Sequence, residues 1–392
     1  MRPFSVTLLL ILLIVTAVIF QSFFRDNFGS EIRFINDNAD REVYYLRGTW
    51  YTIKKTPYTE VFSEYPQFAT YFFALPHMAL AALYGPAYGK EAYYLTFSAM
   101  MMLFLSFTIL LLYRLRDEKR YFAFLMLLPA SLYFSYNRYD ILPSFLGILA
   151  VYLLSKKKFA FSFFCLALGV LAKWYLALLF PIFLVFCRES RKKNITGIIA
   201  FFFITCFLGI LPTLLSGGID ALLIPYMFHT MRGLNSESLF YLLKKILGSD
   251  LWFIVFFVLQ FSVWPFLVFA RIDSPKKAIN WSALAILVFM LFAKFYSPQW
   301  ILWIMPFLIL RIRNAKDAFL VIFFDITTYV YYPVIYDGFG GLLTPVIILK
   351  TSFLMWFIYS ISRDCVKDIE IPTRMRFLLR QYTNFLTKKA AG

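Results

Sequence analysis

Charge is scarce in this chain. Asp, Glu, Lys and Arg make up 16% of its 392 residues and hydrophobic residues 61%, a balance that excludes a soluble domain of this length. Cysteine and histidine are rarer still, at four and two residues. Cys165, Cys187 and Cys206 lie inside apolar runs and Cys365 just beyond the last. No spacing pairs them or joins them to histidines and carboxylates in a metal motif, so neither a metal nor a cofactor is expected. Acidic residues are the rarer charge, 22 against 39 basic, for a formal net charge of +17. In a soluble protein that would suggest nucleic acid. Here Lys and Arg cluster in short loops between apolar runs, so a positive-inside bias accounts for them and no nucleic-acid partner is expected. The first apolar segment, Phe4 to about Phe20, lacks a small-residue cleavage site, since Gln21-Ser22-Phe23-Phe24-Arg25 has the wrong chemistry. It reads as a retained anchor. Internal repeats and low-complexity tracts are also missing.

What is present is a succession of apolar runs, near 4–24, 92–113, 121–136, 140–155, 159–173, 174–187, 195–215, 251–270, 279–296, 300–313, 317–333 and 344–361. These predict an all-α polytopic membrane protein with about twelve transmembrane helices, built as one domain over residues 1–392. The stretch 68–84 is the ambiguous one. The basic loops Arg114–Arg120, Lys156–Lys158, Arg188–Lys193, Arg271–Lys277 and Arg311–Lys316, with the tail 363–392, all fall on one side only if 68–84 does not cross. Both termini are then cytoplasmic, in the cell membrane. A long, partly helical first loop (25–91) and a second loop (216–250) face outward. Arg374–Arg380 fits either a basic amphipathic helix on the inner surface or a solvated tail. Asn194-Ile195-Thr196 and Asn280-Trp281-Ser282 match the glycosylation pattern but fall on the inner side.

The outer face collects the unusual residues: Asn137-Arg138-Tyr139-Asp140, Lys173, Lys294 and the Ser297-Pro298-Gln299-Trp300 turn. Charge is expensive inside a bilayer, so such groups mark a pathway or a site. Outer-face carboxylates suit a general base toward a hydroxyl, and cations suit a phosphate that is held and then released. Each residue also has a plainer account. Asp37 or Asp40 would serve as a helix N-cap, His229 and Arg232 as loop surface, Lys173 and Lys294 as snorkelling side chains, and Arg138 with Asp140 as a structural pair.

These residues resemble a family. Asp40-Arg41-Glu42-Val43-Tyr44-Tyr45, Gly48, Pro57-Tyr58 and Glu64-Tyr65-Pro66 look like the first external loop of the GT-C glycosyltransferases. The nearest likeness is to the polyprenol-phosphate-mannose-dependent mannosyltransferases typified by the alpha-1,2 enzymes. Asn137 to Pro143, Lys173, His229 to Ser238, and Ser297-Pro298-Gln299-Trp300 with Trp303 and Pro306 follow in family order over most of the chain. Gln67 and Leu176 stand where that family usually has proline, and Trp50 to Lys55 is an insertion. The resemblance implies a GT-C-like fold and an inverting transfer of a sugar, mannose first among candidates. The donor would be a polyprenyl-phosphate sugar and the acceptor a lipid or glycan at the outer face. It implies Asp40 as base, with Asp37 its rival, and His229, Arg232, Lys294 and Lys173 at the donor phosphate. Tyr44, Glu64, Asn137, Arg138, Asp140, Ser297 and Gln299 would support them, and Glu237 would orient Arg232. Two other classes fit the composition: a transporter or lipid-linked-sugar flippase, and a non-catalytic assembly subunit that keeps the fold. Transporters usually place sites near the midplane between repeats, which this sequence does not show.

Overall fold

The computed structural model describes residues 37–85, 87–188, 191–248, 252–336 and 340–370. The anchor segment 4–24 and the Arg374–Arg380 stretch lie outside the described residues. Every named element is a helix, and among the described residues strand-like pairing is limited to isolated bridges, Pro57 to Val61 and Ala270 to Ile369.

The chain opens with α1 (Ala39–Thr52) and α2 (Gln67–Tyr84), which pack against each other ahead of the long helices. Asp40 and Glu42 lie in the first turn of α1, where the helix dipole favours negative charge. Gly48 makes the close crossing possible, because a Cβ there would stand 2.1 Å from the main-chain oxygen of Phe73. The long α3 (Lys90–Leu115) follows, with Glu91 in its first turn and Arg114 in its last. A 3-10 stretch, Arg120–Leu127, leads to α4 (Pro129–Asn137), which has proline at its start, and then α5 (Ile141–Ser155). After α6 (Phe159–Ala172) come a 3-10 turn, Trp174–Leu179, and the short α7 (Phe180–Phe186). Next are α8 (Arg191–Thr205), α9 (Leu211–Met231), α10 (Leu239–Leu247) and α11 (Trp252–Gln260). The last helices are α12 (Pro275–Phe292), α13 (Ile301–Arg311), α14 (Ala315–Tyr329) and α15 (Gly340–Val366).

Among the described residues, five helices are long and apolar enough to cross a membrane: Lys90–Leu115, Asn194–Met231, Pro275–Phe292, Ala315–Ile335 and Leu342–Val366. The pair α4 and α5, bent by 110° at the Arg138-Tyr139 break, makes a sixth if counted as one span. This is fewer than the apolar runs suggest. At 1.5 Å per residue the 14-residue α6 reaches only about 21 Å, short of a hydrocarbon core about 30 Å thick. The run 195–215 differs in the other direction: its helix continues to Met231, bending at Gly218 (φ 68°), so much of the expected 216–250 loop is helical.

The stretch 68–84 is helical as α2 but is not among the five. It packs along α1 and also meets α3 and α6. If it does not cross, single cysteines at Lys55 and Gly89 will both react with an impermeant thiol reagent from the same, outer, side. Reaction of the Gly89 position from the cytoplasm alone would overturn that topology.

Candidate functional site

The bend between α4 and α5 positions the first group. Arg138 leaves the helix in an extended conformation (φ −132°, ψ 149°), which turns its side chain inward, where it is 4% exposed. Its guanidinium is a hub. Nη2 meets Asp37 Oδ2 at 2.5 Å and Nε meets Asp40 Oδ2 at 2.8 Å. Nε also donates to Gln299 Oε1 at 3.1 Å, and Nη1 to the Asn137 carbonyl at 3.2 Å. A planar fork with five donors suits this many acceptors, which an ammonium would not.

The two carboxylates differ. Asp37 is buried, and its Oδ2 also accepts from the Tyr332 hydroxyl at 2.7 Å while its Oδ1 accepts from the Ala39 N–H at 3.0 Å. Its own N–H donates to Asn137 Oδ1 at 3.0 Å. Burial alone would raise the Asp37 pKa, but the Arg138 charge, Tyr332 and the Ala39 N–H outweigh it and bring the carboxyl below its ordinary value. Asp40, one turn on, has a side chain 34% exposed, tied through Oδ2 to Arg138 and to the Tyr44 hydroxyl at 3.4 Å. Tyr44 is fully buried, and burial followed by the Asp40 charge pushes its hydroxyl well above its usual pKa, so it stays a donor. Among the described residues, Asp40 therefore keeps one carboxylate oxygen without a hydrogen-bond partner, and Asp37 does not.

Asp140 builds the second group, and it does not pair with Arg138. This corrects the expectation of a local Arg138–Asp140 pair: the extended backbone sends the two side chains to different partners. Asp140 is fully buried and accepts from Lys173 Nζ at 2.6 Å, Trp303 Nε1 at 2.7 Å and Gln299 Nε2 at 3.1 Å. Gln299 thus links the groups, its oxygen on Arg138 and its nitrogen on Asp140. Ser297 opens the 3-10 turn, Pro298–Trp300, that presents Gln299. Lys173, expected at a phosphate, is instead neutralised by Asp140 and packed 4.7 Å over the Tyr139 ring and 5.4 Å over Trp303.

The remaining cations sit at the rim. Arg232 is exposed just after α9, its guanidinium 3.4 Å over the Phe295 ring, with Asp40, Glu64 and Tyr65 in electrostatic reach. It makes no salt bridge among the described residues. Lys294 Nζ donates to the Thr230 carbonyl at 2.6 Å. His229 packs edge-on against Trp174 at 4.8 Å and lies against the main chain of Glu64. Glu64 itself is held by Arg47, through Nε at 3.0 Å and Nη2 at 2.8 Å. Glu237 is not the orienter of Arg232: it is buried and faces Lys350 and Tyr331.

Three contributors escaped the sequence reading. Tyr332 completes the Asp37 anchor, Lys350 donates to the Glu237 main-chain carbonyl at 3.4 Å, and Asp325 caps the start of α4. Asp325 accepts from the N–H groups of Ala130 and Ser131 at 2.8 and 3.0 Å, a carboxylate where the helix dipole favours one. For Lys350 and Asp325 a signal existed, because each is a lone charge inside an apolar run. Tyr332 gave none.

Among the described residues no group of His, Cys, Asp and Glu has the arrangement of a metal site. The chain matches no protein-family model, and a search of curated proteins returns no match.

Proposed function

We propose that this chain is an inverting glycosyltransferase of GT-C type. It would take a sugar, mannose as the first candidate, from a polyprenyl-phosphate donor and pass it to a lipid or glycan acceptor at the outer face of the cell membrane. In this reading the short apolar helices complete about twelve crossings and both termini are cytoplasmic. The observation that carries it is the contrast between two carboxylates three residues apart. Asp37 is spent on structure, while among the described residues Asp40 is held by one oxygen and open at the other, within electrostatic reach of the exposed Arg232.

The chemistry follows from that geometry. Asp40 takes the proton of the acceptor hydroxyl as the acceptor oxygen forms its bond to sugar C1 from one side. The bond from C1 to the phosphate oxygen breaks on the other side, its electron pair leaves with the lipid phosphate, and the anomeric centre inverts. Arg232, with His229 and Lys294 beside it, meets the charge on the departing phosphate. Arg138 keeps Asp40 oriented. Lys173 and Asp140, joined to each other, shape the floor with Trp303 and Gln299.

Arg232→Lys tests the phosphate half of the proposal. Lysine retains the charge but not the planar fork, so the donor KM should rise about tenfold in membranes given radiolabelled polyprenyl-phosphate mannose, with kcat changed far less. An unchanged donor KM in a well-expressed variant removes Arg232 from the site. A protein that carries the lipid-linked sugar across the membrane with the C1–oxygen bond intact is a transporter, and the proposal falls.

A further inference from the structure

Asp325 is a charge that the proposed chemistry leaves unused. It stands in α14, within the span Ala315–Ile335, and is fully buried. Among the described residues no Lys or Arg lies opposite it, and a carboxylate in such a place persists only where other groups satisfy it. The start of α4 does so. Oδ1 accepts from the Ala130 N–H at 2.8 Å, and Oδ2 accepts from the Ser131 N–H at 3.0 Å and the Ser131 hydroxyl at 2.6 Å. These are the main-chain donors that the first turn of α4 leaves over. Pro129 has no N–H, and the Leu132 N–H returns to the Leu128 carbonyl at 2.8 Å. A side chain 195 positions along the chain therefore completes the helix start.

The same stretch of chain then grips the other end of α4. Four residues after Asp325, the Tyr329 ring packs edge-on to Tyr133 at 5.8 Å. Three further on, Tyr332 stacks on Phe134 at 5.9 Å and donates from its hydroxyl to Asp37 Oδ2 at 2.7 Å. Asp37 is also where the end of α4 converges: its N–H donates to Asn137 Oδ1 at 3.0 Å, and its carboxylate meets Arg138 Nη2 at 2.5 Å. α4 is 9 residues long, roughly 13 Å from the Asp325 cap to Arg138 at 1.5 Å per residue. A helix this short is stiff along its axis and carries a displacement at its start through to its end. At that end Arg138 Nε holds Asp40 Oδ2 at 2.8 Å.

We propose that Asp325 is a positioning residue for the transfer: by capping α4 it fixes where Arg138, at the far end, holds Asp40. It touches no reacting atom. The cap and its reach along α4 do not depend on the glycosyltransferase reading; only the effect on turnover rests on Asp40 as the base.

Asp325→Asn keeps the shape but replaces one acceptor oxygen with an amide nitrogen, which cannot accept from the N–H groups it faces. Ser131→Ala removes one of the three contacts and leaves the carboxylate in place. In the donor-free protein, amide exchange at Ala130 and Ser131 should quicken about tenfold in Asp325→Asn and less in Ser131→Ala. The far end should follow in both variants. There the readings are the N–H groups of Asp37 and Ala39, bonded to Asn137 Oδ1 and Asp37 Oδ1. With radiolabelled polyprenyl-phosphate mannose, kcat of Asp325→Asn should fall about tenfold and the donor KM should stay within about twofold, because Arg138 is displaced and the phosphate cations are not. Faster exchange at 130 and 131 with 37 and 39 unchanged shows a local cap and overturns the proposal. Unchanged exchange at 130 and 131, or a higher donor KM in place of the lower kcat, does the same. If Asp325→Asn does not fold, Ser131→Ala decides by the same exchange readings. Faster exchange at both ends with kcat and KM unchanged upholds the hold of Asp325 on Arg138 and places the fault in the base role of Asp40.

Discussion

Asp40→Asn should lower turnover by about 10²–10⁴-fold, the usual worth of a general base, and leave the donor KM within about twofold. The substitution is close to isosteric and keeps one carbonyl oxygen for Arg138 and Tyr44, so it removes proton-accepting capacity without emptying the site. The stability cost should be small. Arg138 retains Asp37 and Gln299, and Asp40 is a third exposed, where water replaces what is lost. Asp37→Asn should behave in the opposite way. It replaces the buried partner of Arg138 with a neutral group and should reduce the yield of folded protein, while the folded fraction retains most of its turnover. Transfer measured per mole of folded enzyme, with folding judged by size-exclusion profile in detergent, separates the two. If Asp37→Asn abolishes transfer and Asp40→Asn spares it, the wrong carboxylate has been assigned. If neither matters, the glycosyltransferase proposal fails with them.

The residues that gather around Arg138 and Asp140 were legible because membranes penalise charge. Arg138, Asp140 and Lys173 stand at the ends of apolar runs, where only a site or a structural pair justifies them, and the structure brings them together with Gln299 and Trp303. Their partners were not legible. Spacing suggested a local Arg138–Asp140 pair, yet an extended residue at the helix break sends Arg138 to carboxylates about a hundred positions earlier. Lys350 and Asp325 were missed although each is a lone charge inside an apolar run, because a window of hydrophobic residues averages away one charge. Helix length was not legible either. Composition reports that α6 and α13 are apolar, but not that they stop after 14 and 11 residues. Gly217-Gly218 stands at the start of segment 216–250, which the sequence reads as a loop. Here the Leu- and Ile-rich sequence beyond it resumes the helix, and the positive φ at Gly218 becomes a bend.

Arg138→Met should be the most damaging single change to the fold, about 3–5 kcal/mol, because it strands a buried charge instead of removing one. Methionine fills much of the arginine volume, so the loss measures electrostatics more than packing. Asp37 would remain buried with the Tyr332 hydroxyl and the Ala39 N–H as its donors and its salt-bridge partner gone, Arg41 staying only in electrostatic reach. The dependence on pH distinguishes this from ordinary packing damage. In the wild-type chain the Asp37 pKa in the folded state lies below its ordinary value of 3.8. Its contribution is present above that value and is lost as pH falls through the folded pKa. Without Arg138 the largest influence opposing burial is gone, and with the Tyr332 hydroxyl and the Ala39 N–H left to offset it the folded-state pKa is expected to rise above the unfolded one. Folding then favours the protonated carboxyl, and its contribution grows as pH falls toward 5. Thermal melting in detergent between pH 7 and pH 5 should therefore show Arg138→Met gaining stability on acidification while the wild type stays level or loses some. Adding Asp37→Asn to Arg138→Met should recover much of the loss and flatten the new pH dependence. A variant that melts early at every pH, with no recovery from the second substitution, would show that Arg138 holds the fold by packing and that the Asp37 contact contributes little.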